Sequence, residues 1–146
     1  MINFQNIDTV DTFENSQGII AITCDPAINI IAYPDKASGY VKLKNYDKNE
    51  NVLISAHNSK IACLAISPDG LFLTTASEKG KFIRVFRTDS GTFLNEFHRD
   101  KEVADVYSLA FDASAQFLAC TASTGTVHIF SLNSVYKKLK ESINEQ

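Results

Sequence analysis

The chain has 146 residues, 45% of them hydrophobic and 21% charged, with a formal net charge of −3, a profile that fits one folded domain and excludes a disordered segment. That charge, with a pI near 5.5, excludes attraction to nucleic acid or anionic lipid through the field of the whole molecule, so any anion site has to be a local cluster. The three cysteines, Cys24, Cys63 and Cys120, are an odd number with no Cys-x-x-Cys pair, which argues against a disulfide framework or a metal site and predicts buried, reduced thiols.

Residues 1–16 form an N-terminal segment with neither a basic region nor a long apolar run. No later stretch approaches the roughly 18 apolar residues of a membrane span, so a cytoplasmic, non-spanning protein is expected. Residues 17–57 hold a faint unit: Ile19 leads to Cys24-Asp25-Pro26, then to NIIAY, then to GYVKL with Gly39 just before it. Residues 58–97 hold the clearest unit, IACLAISPDGLFLTTASEKGKFIRVF followed by GTFLNEF over Gly91–Phe97.

Residues 98–132 repeat that unit at an offset of 45 residues, with Ile61 on Val106, Leu64 on Leu109, Phe72 on Phe117, Leu73 on Leu118 and Gly80 on Gly125. After one skipped residue, Val85 and Phe86 fall on Ile129 and Phe130. Each copy has short apolar runs rich in Ile, Val, Phe and Thr, separated by turn residues, which is a strand pattern. In Ser67-Pro68-Asp69-Gly70 the proline presets φ for a tight turn and the glycine takes a conformation that β-carbon residues resist. Glu78-Lys79-Gly80 and Asp89-Ser90-Gly91 punctuate the next two connections. The tail, residues 133–146, places Val135, Leu139 and Ile143 on one helical stripe beside lysines; it reads as a short amphipathic helix, too weak to anchor a membrane alone and expected to fray.

Four strands in about 45 residues is the period of a β-propeller blade. The reading is therefore all-β: about three four-stranded blades of a partial or truncated propeller, the blade at residues 98–132 being incomplete. Three blades leave strand edges or sheet faces uncovered, which predicts further blades from another chain or from a longer protein.

The residues Ala56–Leu132 resemble the WD-repeat propellers that bind polyphosphoinositides in autophagy, the PROPPIN or WIPI-like family. SPDG, TASEKGKFIRVF, VYSLAF, QFLA and TGTVHIFSL stand in the order of that family's fifth and sixth blades, and AYPDKASGYVKL followed by ISAH is similar to its fourth. The resemblance implies a seven-bladed type of propeller. The family's Phe-Arg-Arg-Gly hallmark falls on Phe97-His98-Arg99-Asp100, where a histidine and an aspartate replace an arginine and the glycine.

The resemblance implies two phosphate pockets, one on each side of this hinge, because successive side chains of an extended segment point apart. The first would use His57, Ser77, Lys81, Arg84 and His98, with Lys81 where the family has a small hydroxyl. The second would use Arg99, Thr126 and His128, with Ala122 where a serine is expected; keeping its arginine fork, it is the better candidate. His57 and His128 serve equally well as hydrogen bonders to nearby turns, as histidines of propellers do.

No GxSxG, HExxH, GxxxxGK[ST] or helix-opening GxGxxG occurs, so no catalytic residue, metal or cofactor is assigned and an enzyme is not expected. The expected function is that of a phosphoinositide-binding adaptor in autophagy, recognising phosphatidylinositol 3-phosphate or 3,5-bisphosphate. It would be peripheral on endosomal, vacuolar or pre-autophagosomal membranes, with autophagy proteins as partners and no nucleic acid. The alternative is a protein-interaction scaffold that has lost lipid binding.

Overall fold

The computed structural model describes residues 4–145. Its first sheet joins β1 (Ala21–Ile22), β2 (Ile30–Pro34), β3 (Tyr40–Asn45) and β4 (Glu50–Ser55) in chain order, each antiparallel to the next. The second joins β5 (Ile61–Ile66), β6 (Phe72–Ser77), β7 (Phe82–Arg87) and β8 (Phe93–His98) in the same way. The third has only β9 (Val106–Phe111), β10 (Phe117–Ala122) and β11 (Val127–Ser131). A helix, α1 (Asn133–Asn144), follows it.

The 45-residue offset therefore carries β5 onto β9 and β6 onto β10 end for end, and it extends to an irregularity. The ladder slips between Ile61 and Cys63 in one blade and, in the other, between the pairs Thr121–Ser108 and Ala122–Val106. The skipped residues, Ala62 and Tyr107, are equivalent, and such bulges bend and twist a strand. The tight turn at Ser67–Gly70 is closed by the Gly70 N–H donating to the Ser67 carbonyl at 2.9 Å, with Gly70 at φ +73°.

Two apolar layers lie between the three sheets. Leu43, Ile54, Leu64, Leu73 and Phe86 fill the first; Phe72, Ile83, Leu94, Leu118 and Cys120 fill the second. β6 is covered on both faces and is buried along its whole length, which is why FLTTAS shows no alternation of apolar and polar residues. Its two threonines satisfy their hydroxyls internally, Thr74 on the Ala65 carbonyl at 3.3 Å and Thr75 on His57 at 2.9 Å.

Three expectations change. The last strand of the middle blade begins at Phe93, not Gly91, because Gly91 (φ +73°) closes a turn through its N–H to the Arg87 carbonyl; the strand then runs on to include His98, leaving the hinge to start at Arg99. Cys120 is buried and Cys63 half-buried, but Cys24 is exposed. Nor does the tail fray: α1 docks with Leu132 and Val135 fully buried in the second apolar layer, each worth about 1.5–3 kcal/mol. The Tyr136 ring meets Phe72 edge-on at 5.0 Å, its hydroxyl donates to the Ala115 carbonyl at 2.9 Å, and Arg87 donates to Ser142 at 3.1 Å. The stripe is thus partly used on the protein itself, with Ile143 alone of its three residues exposed.

Candidate anion-binding site

β6, β7 and the loop after β4 converge on a cleft of about 160 Å³. It is lined by His57, Ser77, Lys81 and Arg84, the residues expected of the first pocket, together with Lys79 and the Asn58-Ser59 loop. Backbone hydrogen bonds set the loop: the Gly39 carbonyl accepts the N–H of both Ala56 and His57, at 3.0 and 3.1 Å. His98, the fifth expected member, is exposed at the end of β8 with its ring 5.1 Å from that of Phe82.

Arg84 is held between two acceptors. Its Nε donates to Glu96 at 2.7 Å, the residue directly opposite on β8, and its Nη1 donates to the Ala56 carbonyl at 2.6 Å. Nη2 has no partner among the described residues, so part of the planar fork stays free beside Lys79 and Lys81. Three cations at one cleft, with serine hydroxyls and an amide at its edge, form a receptor for a multiply charged oxyanion.

His57 is the exception to this positive lining. Burial, reinforced by the charge of Arg84, pushes its pKa from 6.5 down to about 4, so it is neutral at pH 7 and contributes a hydrogen bond to Thr75 instead of a charge. Because the unfolded chain binds this proton at a higher pH than the folded one, stability falls as pH drops from about 6.5 to 4. The expected loss is about 2–3 kcal/mol. Urea unfolding at pH 7 and pH 4.5 should show it, and His57→Gln should flatten it. An unchanged slope in that variant would assign the loss to other groups. The depressed carboxylates, such as Asp112 at about 2, titrate below this window.

On the other side of the hinge the geometry differs from expectation. Where His98 is exposed, Arg99 is only 4% exposed and its fork is occupied. Nε donates to the Gly80 carbonyl at 2.5 Å, Nη2 to the Glu102 carbonyl at 2.9 Å, and Nη1 to Thr124 at 3.3 Å. Thr124 bonds Thr126 at 3.1 Å and Thr126 bonds His128 at 3.2 Å, so the three residues of the second pocket are linked in one chain. Asp100 lies beside them, its carboxyl held below the usual range by the backbone N–H groups of Lys101 and Glu102. A carboxylate there opposes an incoming anion. Ala122 is buried and contributes no oxygen.

Sequence reasoning missed Lys79, Glu96 and Thr124. Lys79 stands in the turn into β7, which brings it to the lining of the cleft. Glu96 was legible in principle, since β7 and β8 form a hairpin that sets it opposite Arg84.

A family model described as PROPPIN matches residues 4–144. Autophagy-related protein 18e of Arabidopsis thaliana is 35% identical over 84% of this chain and 33% of its own length. Autophagy-related protein 18 of Schizosaccharomyces pombe is 33% identical over 94% and 43%, and WD repeat domain phosphoinositide-interacting protein 1 of Xenopus laevis 36% over 91% and 31%. Among solved structures, KlAtg21 in complex with the coiled-coil of AgAtg16 aligns with a TM-score of 0.67 at 29% identity, over 79% of this chain and 39% of that one. Kluyveromyces lactis Hsv2 aligns at 0.70 and 21% identity, over 76% and 36%, a likeness of fold. The chain thus spans about a third of the length of the curated relatives it matches. With three repeats in blade order and a family match along nearly its whole length, the chain belongs to the PROPPIN family.

Proposed function

We propose that this chain is a non-enzymatic adaptor that docks the headgroup of a 3-phosphorylated phosphoinositide in the cleft of Lys79, Lys81 and Arg84, and so works at the surface of endosomal, vacuolar or pre-autophagosomal membranes in autophagy. The observation that carries the reading is the convergence of these three cations with Ser77 and the Asn58-Ser59 loop on one cleft, in a family where one relative is named phosphoinositide-interacting. Membrane association is peripheral in this reading, and no described helix is long and apolar enough to cross a membrane.

Arg99 then has a positioning role. By binding the Gly80 and Glu102 carbonyls it fixes the turn that carries Lys79 and Lys81. In this reading a 3-phosphate meets Lys81 and Arg84, and a 3,5-bisphosphate adds a second phosphate for the exposed Lys79 and His98.

Co-sedimentation with neutral vesicles, with vesicles carrying either inositide, and with phosphatidylserine vesicles of matched charge tests this. Pelleting with an inositide beyond that with phosphatidylserine is expected. No pelleting, or equal pelleting on both anionic vesicles, contradicts the reading. The second outcome reports only diffuse charge attraction.

A second reading has its own observation. The occupied fork of Arg99, with Asp100 beside it, weighs against one of the two expected pockets, and the similar KlAtg21 was solved with a coiled-coil. A scaffold that binds autophagy proteins without lipid follows from that, and the vesicle assay separates the two.

A further inference from the structure

We propose that a groove between the first two blades, walled by α1, docks a peptide segment of a protein partner in which aliphatic side chains stand beside lysine or arginine. The groove lies where the turns after β1, β3, β5 and β7 gather, and it holds about 510 Å³, inside the roughly 300–1,000 Å³ of built ligand pockets. Its apolar lining is Ile28 and Ile30 of the first blade, Leu71 of the second, and Leu139 and Ile143 of α1. Ile30 is buried, whereas Leu71 and Ile143 are 44% and 52% exposed. Single exposed aliphatics are ordinary on a surface, but these two line one concavity from two different elements.

The groove is preformed. Ile28 packs so closely on the Ser67–Gly70 turn that a β-carbon at Gly70 would come 2.8 Å from its Cγ2. Arg87 donates to Ser142 at 3.1 Å and so ties the α1 wall to the second blade. The Asn29 N–H and side-chain amide both donate to Asp47, at 2.9 and 2.7 Å. A receptor held this way lowers the ordering penalty of binding. Its lining comes from the first two blades and α1 alone, so further blades, which stack on the outer sheet faces, leave it open.

Charge selects the occupant. Asp47, Asp69 and Asp89 stand around the groove against Lys48 and Arg87. Arg87 is already occupied by Asp89, with Nε and Nη2 donating to its two oxygens at 2.9 and 2.5 Å, which leaves two carboxylates facing one ammonium. α1 ends here with no basic residue in its last turn, so the partial negative charge of its final carbonyls adds to theirs. Hydrogen bonds from Asn29 and Arg87 hold Asp47 and Asp89 below the usual carboxylate range, and both stay charged at neutral pH. An acidic peptide, a nucleic acid or an anionic lipid surface is repelled, whereas a basic side chain next to a buried aliphatic one is matched. The groove and the cationic cleft lie at opposite ends of β7, with Arg87 lining the one and Phe82 the other, roughly 17 Å apart at the rise of a strand. A membrane and a protein partner can therefore be held at once, and neither reading needs the other.

Panning a phage library of random dodecapeptides on the full chain tests the proposal, with affinities then read by fluorescence anisotropy. Enrichment of peptides that place aliphatic residues beside lysine or arginine is expected. Ile143→Lys should weaken those peptides at least about tenfold and leave inositide-specific pelleting unchanged, with the circular dichroism spectrum preserved because the side chain is exposed. Leu71→Lys serves as the second variant if the first loses its fold. No enrichment, enrichment of acidic peptides, or selected peptides that bind a folded variant equally well would overturn the proposal. So would a dimer of the parent that Ile143→Lys dissociates in sedimentation, which would assign the groove to a second copy of the chain.

Discussion

Gly80→Ala is expected to destabilise the chain by at least about 3 kcal/mol, whereas Gly125→Ala, at the equivalent position one repeat later, should cost only about 1 kcal/mol. Both glycines adopt positive φ, +63° and +75°, so both substitutions carry the same left-handed penalty. They differ in what a β-carbon meets. At Gly80 it would lie 2.0 Å from the Ala104 carbonyl oxygen; at Gly125 nothing comes within 4 Å.

That carbonyl cannot retreat cheaply. The Ala104 N–H donates to the Lys79 carbonyl at 3.2 Å, and Arg99 ties the Gly80 carbonyl to that of Glu102. The turn and the hinge segment are one clamped unit, so the backbone must break hydrogen bonds to admit a methyl group. Urea midpoints of the two variants measure the contrast. Equal losses would mean that the hinge is not clamped against this turn.

The fold was legible because a propeller is a repeated solution to one problem, and its repeat survives in Phe72 and Phe117, Leu73 and Leu118, Gly80 and Gly125. Periodicity cannot report what covers a surface, and that is where reading the sequence fell short. The stripe of Val135, Leu139 and Ile143 looks alike whether it meets lipid or Phe72. Likewise, alternation along an extended segment places His98 and Arg99 on opposite sides, and the structure has His98 exposed and Arg99 buried. Alternation says nothing of the Gly80 and Glu102 carbonyls waiting on the Arg99 side, which turn that side chain into a brace. The first pocket was assembled from residues far apart in the chain through the resemblance, and four of its five members line one cleft. Lys79 escaped notice because a turn residue gives no periodic signal of where its side chain points.

Reversing one charge in that cleft should have the largest effect on lipid binding. Lys81 is half-buried at its rim, and only its backbone carbonyl takes part in the hinge, accepting the Arg99 N–H at 2.8 Å. Lys81→Glu therefore leaves the fold intact and shifts the local charge by two. At an effective dielectric near 20, a singly charged phosphate about 6 Å away would lose on the order of 5 kcal/mol, reduced by salt to at least about a tenfold weaker affinity. Thr126→Val removes a hydroxyl from the Arg99 side, where the fork is occupied and Asp100 stands nearby, and should change affinity by less than about twofold. The deciding measurement is the affinity of these two variants and the parent for vesicles bearing phosphatidylinositol 3-phosphate. Loss on Lys81→Glu with little change on Thr126→Val is the predicted result; binding that survives Lys81→Glu and falls with Thr126→Val would contradict it and return the site to Arg99.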